Sequence, residues 1–310
     1  MSSSNEEIRP VKRDDTLDIM KGLGILLMIW VHCRTDAISH FAYTFHMPLF
    51  LFISGYFFKL RSFTQELSLD FRRIIVPYVF TCLVMVLLAF SAFDKFAFES
   101  MTKTALFSSL WGGAIYGRLF AYKDLFIGPL WFLLGLLWAR LLASILLRFI
   151  KNDFLCGAII FILAIIAKCS FEVFGHKPLS LFQAFGCLGF FYTGYLARKY
   201  DLLNIAKIKL IFPFVLLCWL YCMTFSSLAL HKCQYEGFYI LDILGAWGIF
   251  CILYVTVKSV YNKNSLFWKI ILFVGRNSIV VLCVHAVDHC MLHRWSFVGA
   301  KMIFGLEISL

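Results

Sequence analysis

The stretch LDIMKGLGILLMIWVH, from Leu17 to His32, decides the fold. Extended to residue 36, it reaches the roughly 20 mostly apolar residues that a helix needs to cross a hydrocarbon core. The segment before it, Met1 to Asp15, is polar and charged. No small-residue cleavage site follows, and the run leads straight into a second apolar run, so it reads as a retained span rather than a removed signal peptide. It also carries Lys21 and His32. Ionisable groups inside a span are costly, and a plain anchor has no use for them. Eleven residues apart, they fall on nearly the same helix face, separated by about 16 Å along the axis.

The rest of the chain has the same character. Of its 310 residues 61% are hydrophobic and 15% charged, with mean hydropathy +0.83, where a soluble domain carries roughly 25% charged residues. Apolar windows at 17–36, 41–58, 74–93, 129–150, 154–174, 178–197, 208–228, 238–260 and 267–287 predict an all-α, polytopic transmembrane helical bundle of about nine to ten spans. The stretch ALFSSLWGGAIYGRLF, from Ala105 to Phe120, is Gly-rich and too short to cross alone, which predicts a re-entrant or interfacial segment. Residues 291–310, with Arg294, Lys301 and Glu307, read as a short last helix or a tail.

The net charge of +11 does not point to nucleic acid, because the 29 Lys and Arg lie in small groups between apolar runs. Assigned to alternate sides of the span list, nineteen fall with the N-terminus and eight opposite, leaving Arg294 and Lys301 unassigned. That asymmetry puts residues 1–16 in the cytoplasm as an N-terminal segment. The eleven cysteines include no CxxC pair, and most lie within apolar spans as small packing residues.

Three histidines fall at similar depth. His32 lies toward the outer side of the first span, His46 inside the outer end of the second, and His285 near the outer end of the ninth. Imidazole exchanges a proton near neutral pH, which suits general-base work on a hydroxyl; interhelical hydrogen bonding is the plainer use. Asp36, four residues after His32, is a candidate to orient it. His285, His289 and His293 recur every four residues, as metal ligands on a helix can, but no HExxH occurs and no metal is expected. Neither a Walker loop nor a GxSxG elbow is present. Arg72 and Arg73, with Lys59 and Arg61 before them and Lys21 on the same side, serve either ordinary positive-inside topology or a phosphate site, since Arg forks match phosphate oxygens.

These residues spell a family pattern. LDIMKGLGILLMIWVH and the following FHMPLFLFISGYFF, from Phe45 to Phe58, closely resemble the acyltransferase 3 family of membrane proteins. RRIIVPY from Arg72, PLWFLLGLL from Pro129, FFYTGYLARK from Phe190 and GRNSIVVLCVH from Gly275 resemble it more loosely. The resemblance implies a membrane domain over about 17–290 with some ten helices. It implies transfer of an acyl group, usually acetyl, from coenzyme A to a hydroxyl or amine of a cell-surface or lipid-linked glycan. Acetyl-CoA is then a substrate, and no tightly bound cofactor is implied. The family's basic residue, ten residues and His fit Lys21 to His32, with Lys where Arg is commoner. On this reading Lys21, Arg72 and Arg73 bind the donor, His32 is general base or acyl carrier, and His46 supplements it. Trp131, His285 and Asp36 are acceptor-side or structural candidates, and a bacterial inner membrane is the implied location. The rival readings are a transporter or flippase of a glycolipid or small solute, which internal inverted repeats would favour, and a non-catalytic scaffold.

Overall fold

The computed structural model describes residues 14–33, 37–90, 127–174, 178–236 and 238–289, with positions 106, 109, 110 and 112. Asp36, His293, the tail 291–310 and most of the stretch from Ala105 to Phe120 lie outside the described residues.

Helix α1 (Asp15–Cys33) starts where Asp14 caps it. The Thr16 backbone N–H donates to Asp14 Oδ1 at 2.9 Å, and Asp15 and Asp18 sit in the first turn, where the helix dipole favours negative charge. Then come α2 (Ala37–Tyr43), α3 (His46–Tyr56) and α4 (Phe63–Asp70). A π-turn over Phe71–Ile75 joins α4 to α5 (Val76–Phe90). Pro77 has no N–H to offer the carbonyl four residues back, and Val76 bonds instead to Phe71 O, five residues back, which widens the turn. Helix α6 (Trp131–Phe149) follows the 3₁₀ turn Gly128–Leu130, where Gly128 takes a left-handed φ of 50° that a side chain would disfavour. Helices α7 (Asp153–Phe174), α8 (Leu181–Lys199) and α9 (Ile205–Phe225) lead to a two-stranded antiparallel hairpin of β1 (Leu228–Ala229) and β2 (Gln234–Tyr235). The described chain closes with α10 (Tyr239–Val260), α11 (Leu266–Arg276) and α12 (Ser278–Val287).

The all-α expectation holds, apart from that short hairpin. The expected span count is not reproduced. Among the described residues, five helices are long and apolar enough to cross a membrane: Phe63–Leu88, Gly128–Phe149, Asp153–Val173, Ile205–Phe225 and Tyr239–Val260. A sixth counts if α11 and α12 form one span bent by 76°. The reasons differ by helix. Helix α1 carries Asp15, Asp18 and Lys21. The expected span 41–58 is broken at Thr44–Phe45, and 267–287 is broken at Asn277. Helix α8, with Gln183 and several glycines, is enclosed by α3, α6 and α7, and a helix that faces protein needs less apolarity than one that faces lipid.

Large apolar side chains stand exposed along α5, α7, α9 and α11, including Phe80, Phe154, Leu210, Phe214 and Phe273, the surface expected against lipid. Inside, Phe52 packs edge-on to Phe190, Trp247 and Phe250 at centroid distances of 5.8, 5.3 and 5.6 Å. Glycines set the closest crossings. A Cβ on Gly275 would strike the backbone of Asp18 and Gly22 in α1, and one on Gly22 would strike the backbone of Ile271 in α11. Where dispersion rather than hydrophobicity drives helix association, such close approach is the main stabilising contact. Gly275→Val should therefore cost about 1–3 kcal/mol, read as a lowered unfolding temperature in detergent. Gly157→Ala, whose Cβ meets only Tyr192 at 3.9 Å, should stay within about 1 kcal/mol of the parent.

Candidate active site

Two cavities meet inside the bundle. The first, of about 250 Å³, is lined by His32 and Met28 from α1, Tyr43 from α2, His46 and Met47 from α3, and Trp131 at the head of α6. The hairpin adds Leu228, Leu230 and His231, and the C-terminal region adds Leu282 and His289. The second, of about 300 Å³, holds Lys21, Lys59, Arg61, Arg73 and Arg140 against two carboxylates, Glu66 and Asp70. Met28, Met47 and Leu282 line both, so a histidine chamber and a basic chamber adjoin at a neck of three apolar side chains that stand between them. Methionine is flexible and polarisable, suited to a contact that must yield.

Breaks in the helices aim the histidines. The bend at Asn277 turns α12 so that His285, 5% exposed, meets His32, with His32 Nδ1 and His285 Nε2 2.8 Å apart. The rings are within 8° of coplanar with centroids 5.1 Å apart, the separation that a head-on nitrogen contact plus two ring radii gives. The pair is thus an in-plane hydrogen bond rather than a face-to-face stack. His289, one turn further on, packs against both rings, at 5.2 Å from His32 and 5.7 Å from His285. At the break at Thr44–Phe45 the Ala42 carbonyl accepts from the Phe45 backbone N–H at 3.1 Å and also lies 2.7 Å from His46 Nδ1. A carbonyl only accepts, so Nδ1 carries the proton and Nε2 is left as the lone pair of an imidazole that is 2% exposed. Among the described residues no group of three His, Cys, Asp or Glu is arranged to hold a metal ion. Facing nitrogens at 2.8 Å leave no room for one between His32 and His285.

The basic chamber is built on buried pairs. Arg140 Nε donates to Asp70 Oδ1 at 2.7 Å, with its Nη1 3.4 Å from Ser54 Oγ and its guanidinium over the Phe58 ring. Arg148 pairs with Glu66 at 3.0 Å, and Ser144 donates to the same carboxylate. Lys21 Nζ lies 2.6 Å from Asp18 Oδ1, and Asp18 is also approached by Arg276 at 3.7 Å. Lys59, Arg61 and Arg73 line the chamber with no side-chain ion pair among the described residues.

The structure thus gathers His32, His46 and Trp131 around one chamber with His285 behind His32, and Lys21 and Arg73 around the other. Arg72 and Arg73 are both exposed, but only Arg73 lines a chamber, since consecutive residues on a helical turn face different ways. Sequence reasoning missed His231, whose ring lies 6.4 Å from that of Trp131. It sits in a loop with no periodicity to read. The Asp18–Lys21 pair was detectable, since residues three apart share a helix face. The Asp70–Arg140 and Glu66–Arg148 pairs join helices far apart in sequence and left no such signal.

An acyltransferase domain family model, acyltransferase 3, matches residues 14–299. The chain belongs to this family. The membrane acyltransferase is also 25% identical over 297 residues to nodulation protein NolL of Sinorhizobium fredii (strain NBRC 101917 / NGR234), covering 90% of this chain and 69% of that protein. No solved structure matches the chain.

The buried pairs of the basic chamber generate a test in this acyltransferase. Removing Asp70 alone leaves the Arg140 guanidinium without its counter-ion away from water, so Asp70→Ala should cost about 3 kcal/mol. Pairing it with Arg140→Leu should recover most of that loss, both read by thermal unfolding in detergent.

Proposed function

We propose that the protein transfers an acyl group, acetyl in the first instance, from acyl-CoA to a hydroxyl (or amine) of a cell-surface or lipid-linked glycan. The observation that carries this reading is the meeting of a basic chamber and a histidine chamber at the neck of Met28, Met47 and Leu282. Coenzyme A is an anion at one end and a thioester at the other. Its phosphates suit Lys59, Arg61 and Arg73, with Lys21 beside them, because guanidinium forks and ammonium groups pair with phosphate oxygens. Its pantetheine arm has the reach to pass the neck, so the acyl carbon arrives beside His32 while the nucleotide stays at the basic end. Lys21 contributes as a point charge already shared with Asp18.

In the histidine chamber His32 takes the acceptor's proton as the hydroxyl oxygen attacks the thioester carbon. The carbon–oxygen bond forms, the carbon–sulfur bond breaks, and the proton passes on to the departing thiolate. His46 Nε2 is a second base in reach of the chamber, and the Trp131 indole face suits a sugar ring. On this reading the N-terminus is cytoplasmic and the membrane a bacterial inner membrane; the Lys and Arg asymmetry supports that orientation. The proposal takes nine to ten crossings, with α1, the broken α2–α3 pair and α8 counted as spans.

The test is incubation of purified protein with labelled acetyl-CoA and a lipid-linked glycan pool. Label should move to the glycan, and its absence would sink the reading. His32→Ala should lower kcat by roughly 100- to 10,000-fold with the protein still inserted and folded. Arg73→Ala should raise the donor KM about tenfold, the scale of one lost charge-assisted hydrogen bond, with kcat little changed. Arg72→Ala should leave both near the parent values, and an equal effect of the two arginines would remove the basic chamber as the donor site.

A further inference from the structure

We infer that His285 is the positioning residue of a histidine–histidine dyad: it holds the proton of His32 on Nδ1, so that Nε2 of His32 is the nitrogen presented to the chamber. Three observations converge. The nitrogens face each other at 2.8 Å in nearly coplanar rings, the geometry of a directed hydrogen bond. His285 is 5% exposed, and His289 packs against both rings, so neither ring turns freely. His32 lines the histidine chamber, and with Nδ1 engaged behind it, the nitrogen left for chemistry is Nε2.

Imidazole carries a single ring proton when neutral, and which nitrogen holds it is set by the partner of the other. If His285 Nε2 accepts, then Nδ1 of His32 is protonated and Nε2 is a base. When an acceptor hydroxyl gives its proton to Nε2, His32 becomes a cation whose Nδ1–H is shared with His285, and the charge spreads over two rings. The proton then leaves from Nε2 to the thiolate, and the dyad returns to its starting form with nothing gained or lost.

A carboxylate in the position of His285 would hold the same tautomer more strongly, but it would bring a permanent charge into the membrane interior, where ion burial is expensive. A neutral imidazole gives the orientation without that charge. The groups facing His32 from the surrounding elements, His46, His231 and His289, are imidazoles too. Within the described residues the orientation of His32 comes from the hydrogen bond to His285 and the packing of His289 against both rings.

The kinetic half of this inference rests on the acyl-transfer reading; the tautomer half does not. Full-length protein with ¹⁵N-labelled histidine, in detergent, gives an NMR signature for His32, assigned by its disappearance in His32→Gln. The parent should show Nδ1 protonated and Nε2 bare. His285→Ala should lose that preference, and His285→Gln, whose carbonyl oxygen can accept from Nδ1, should keep it. With labelled acetyl-CoA and a lipid-linked glycan pool, His285→Ala should lower kcat at least about 100-fold with both KM values within threefold of the parent, and His285→Gln should recover at least tenfold of that loss. An unchanged His32 tautomer in His285→Ala overturns the dyad, as does kcat within threefold of the parent, or a KM increase with kcat retained. If the parent transfers no acetyl, the acyl-transfer reading fails and the NMR result alone decides the dyad.

Discussion

Hydrocarbon cannot solvate an imidazole or a guanidinium, and every polar group along α1 answers to that constraint. At one end Lys21 is paired with Asp18, and Arg276 draws Asp15 and Asp18 toward α11. At the other His32 is paired with His285 on α12. Between them Gly22 and Gly275 let α1 and α11 approach backbone to backbone. Helix α1 is thus clamped at both ends by the chain segment from 266 to 289, which fixes where Lys21 and His32 emerge. The basic and histidine chambers are defined by that clamp.

The same constraint explains why irregular backbone gathers at the site. The break at Thr44–Phe45 precedes His46, the π-turn over Phe71–Ile75 contains Arg73, the 3₁₀ turn Gly128–Leu130 delivers Trp131, and the bend at Asn277 aims His285. Non-helical backbone within a membrane is tolerated where protein or a cavity shields it. A regular helix presents its side chains radially along a straight axis. Breaking it converges side chains from several helices on one point. The cost in backbone order falls at the candidate site, and the longer helices α7, α9 and α10 supply much of the apolar exterior and of the aromatic core.

Charge is distributed with similar economy. The basic chamber satisfies Glu66 and Asp70 internally through Arg148 and Arg140, leaving Lys59, Arg61 and Arg73 to face the cavity. The histidine chamber has no carboxylate among its described lining residues. The two sides of the Met28, Met47 and Leu282 neck therefore differ in kind: one presents cationic side chains, the other imidazoles without a carboxylate in a place that tolerates little net charge.

Much of this was legible in the residues alone. Hydropathy determined the all-α membrane class, because lipid admits few alternatives to a helix. Local spacing set Lys21 and His32 on one face of one helix, and the motifs around them pointed to the family. The sequence by itself could not count the crossings, because apolarity reports contact with lipid, while α1 carries Asp15, Asp18 and Lys21 and α8 faces protein. Nor could it tell Arg73 from its neighbour Arg72, since which of two adjacent helical residues lines a cavity depends on what packs against each face. The pairing of His32 with His285, the arrival of His231 and the joining of two chambers at one neck were decided by tertiary structure. They are contacts between residues far apart in the chain, and only the packing of one helix against another brings them within hydrogen-bonding reach.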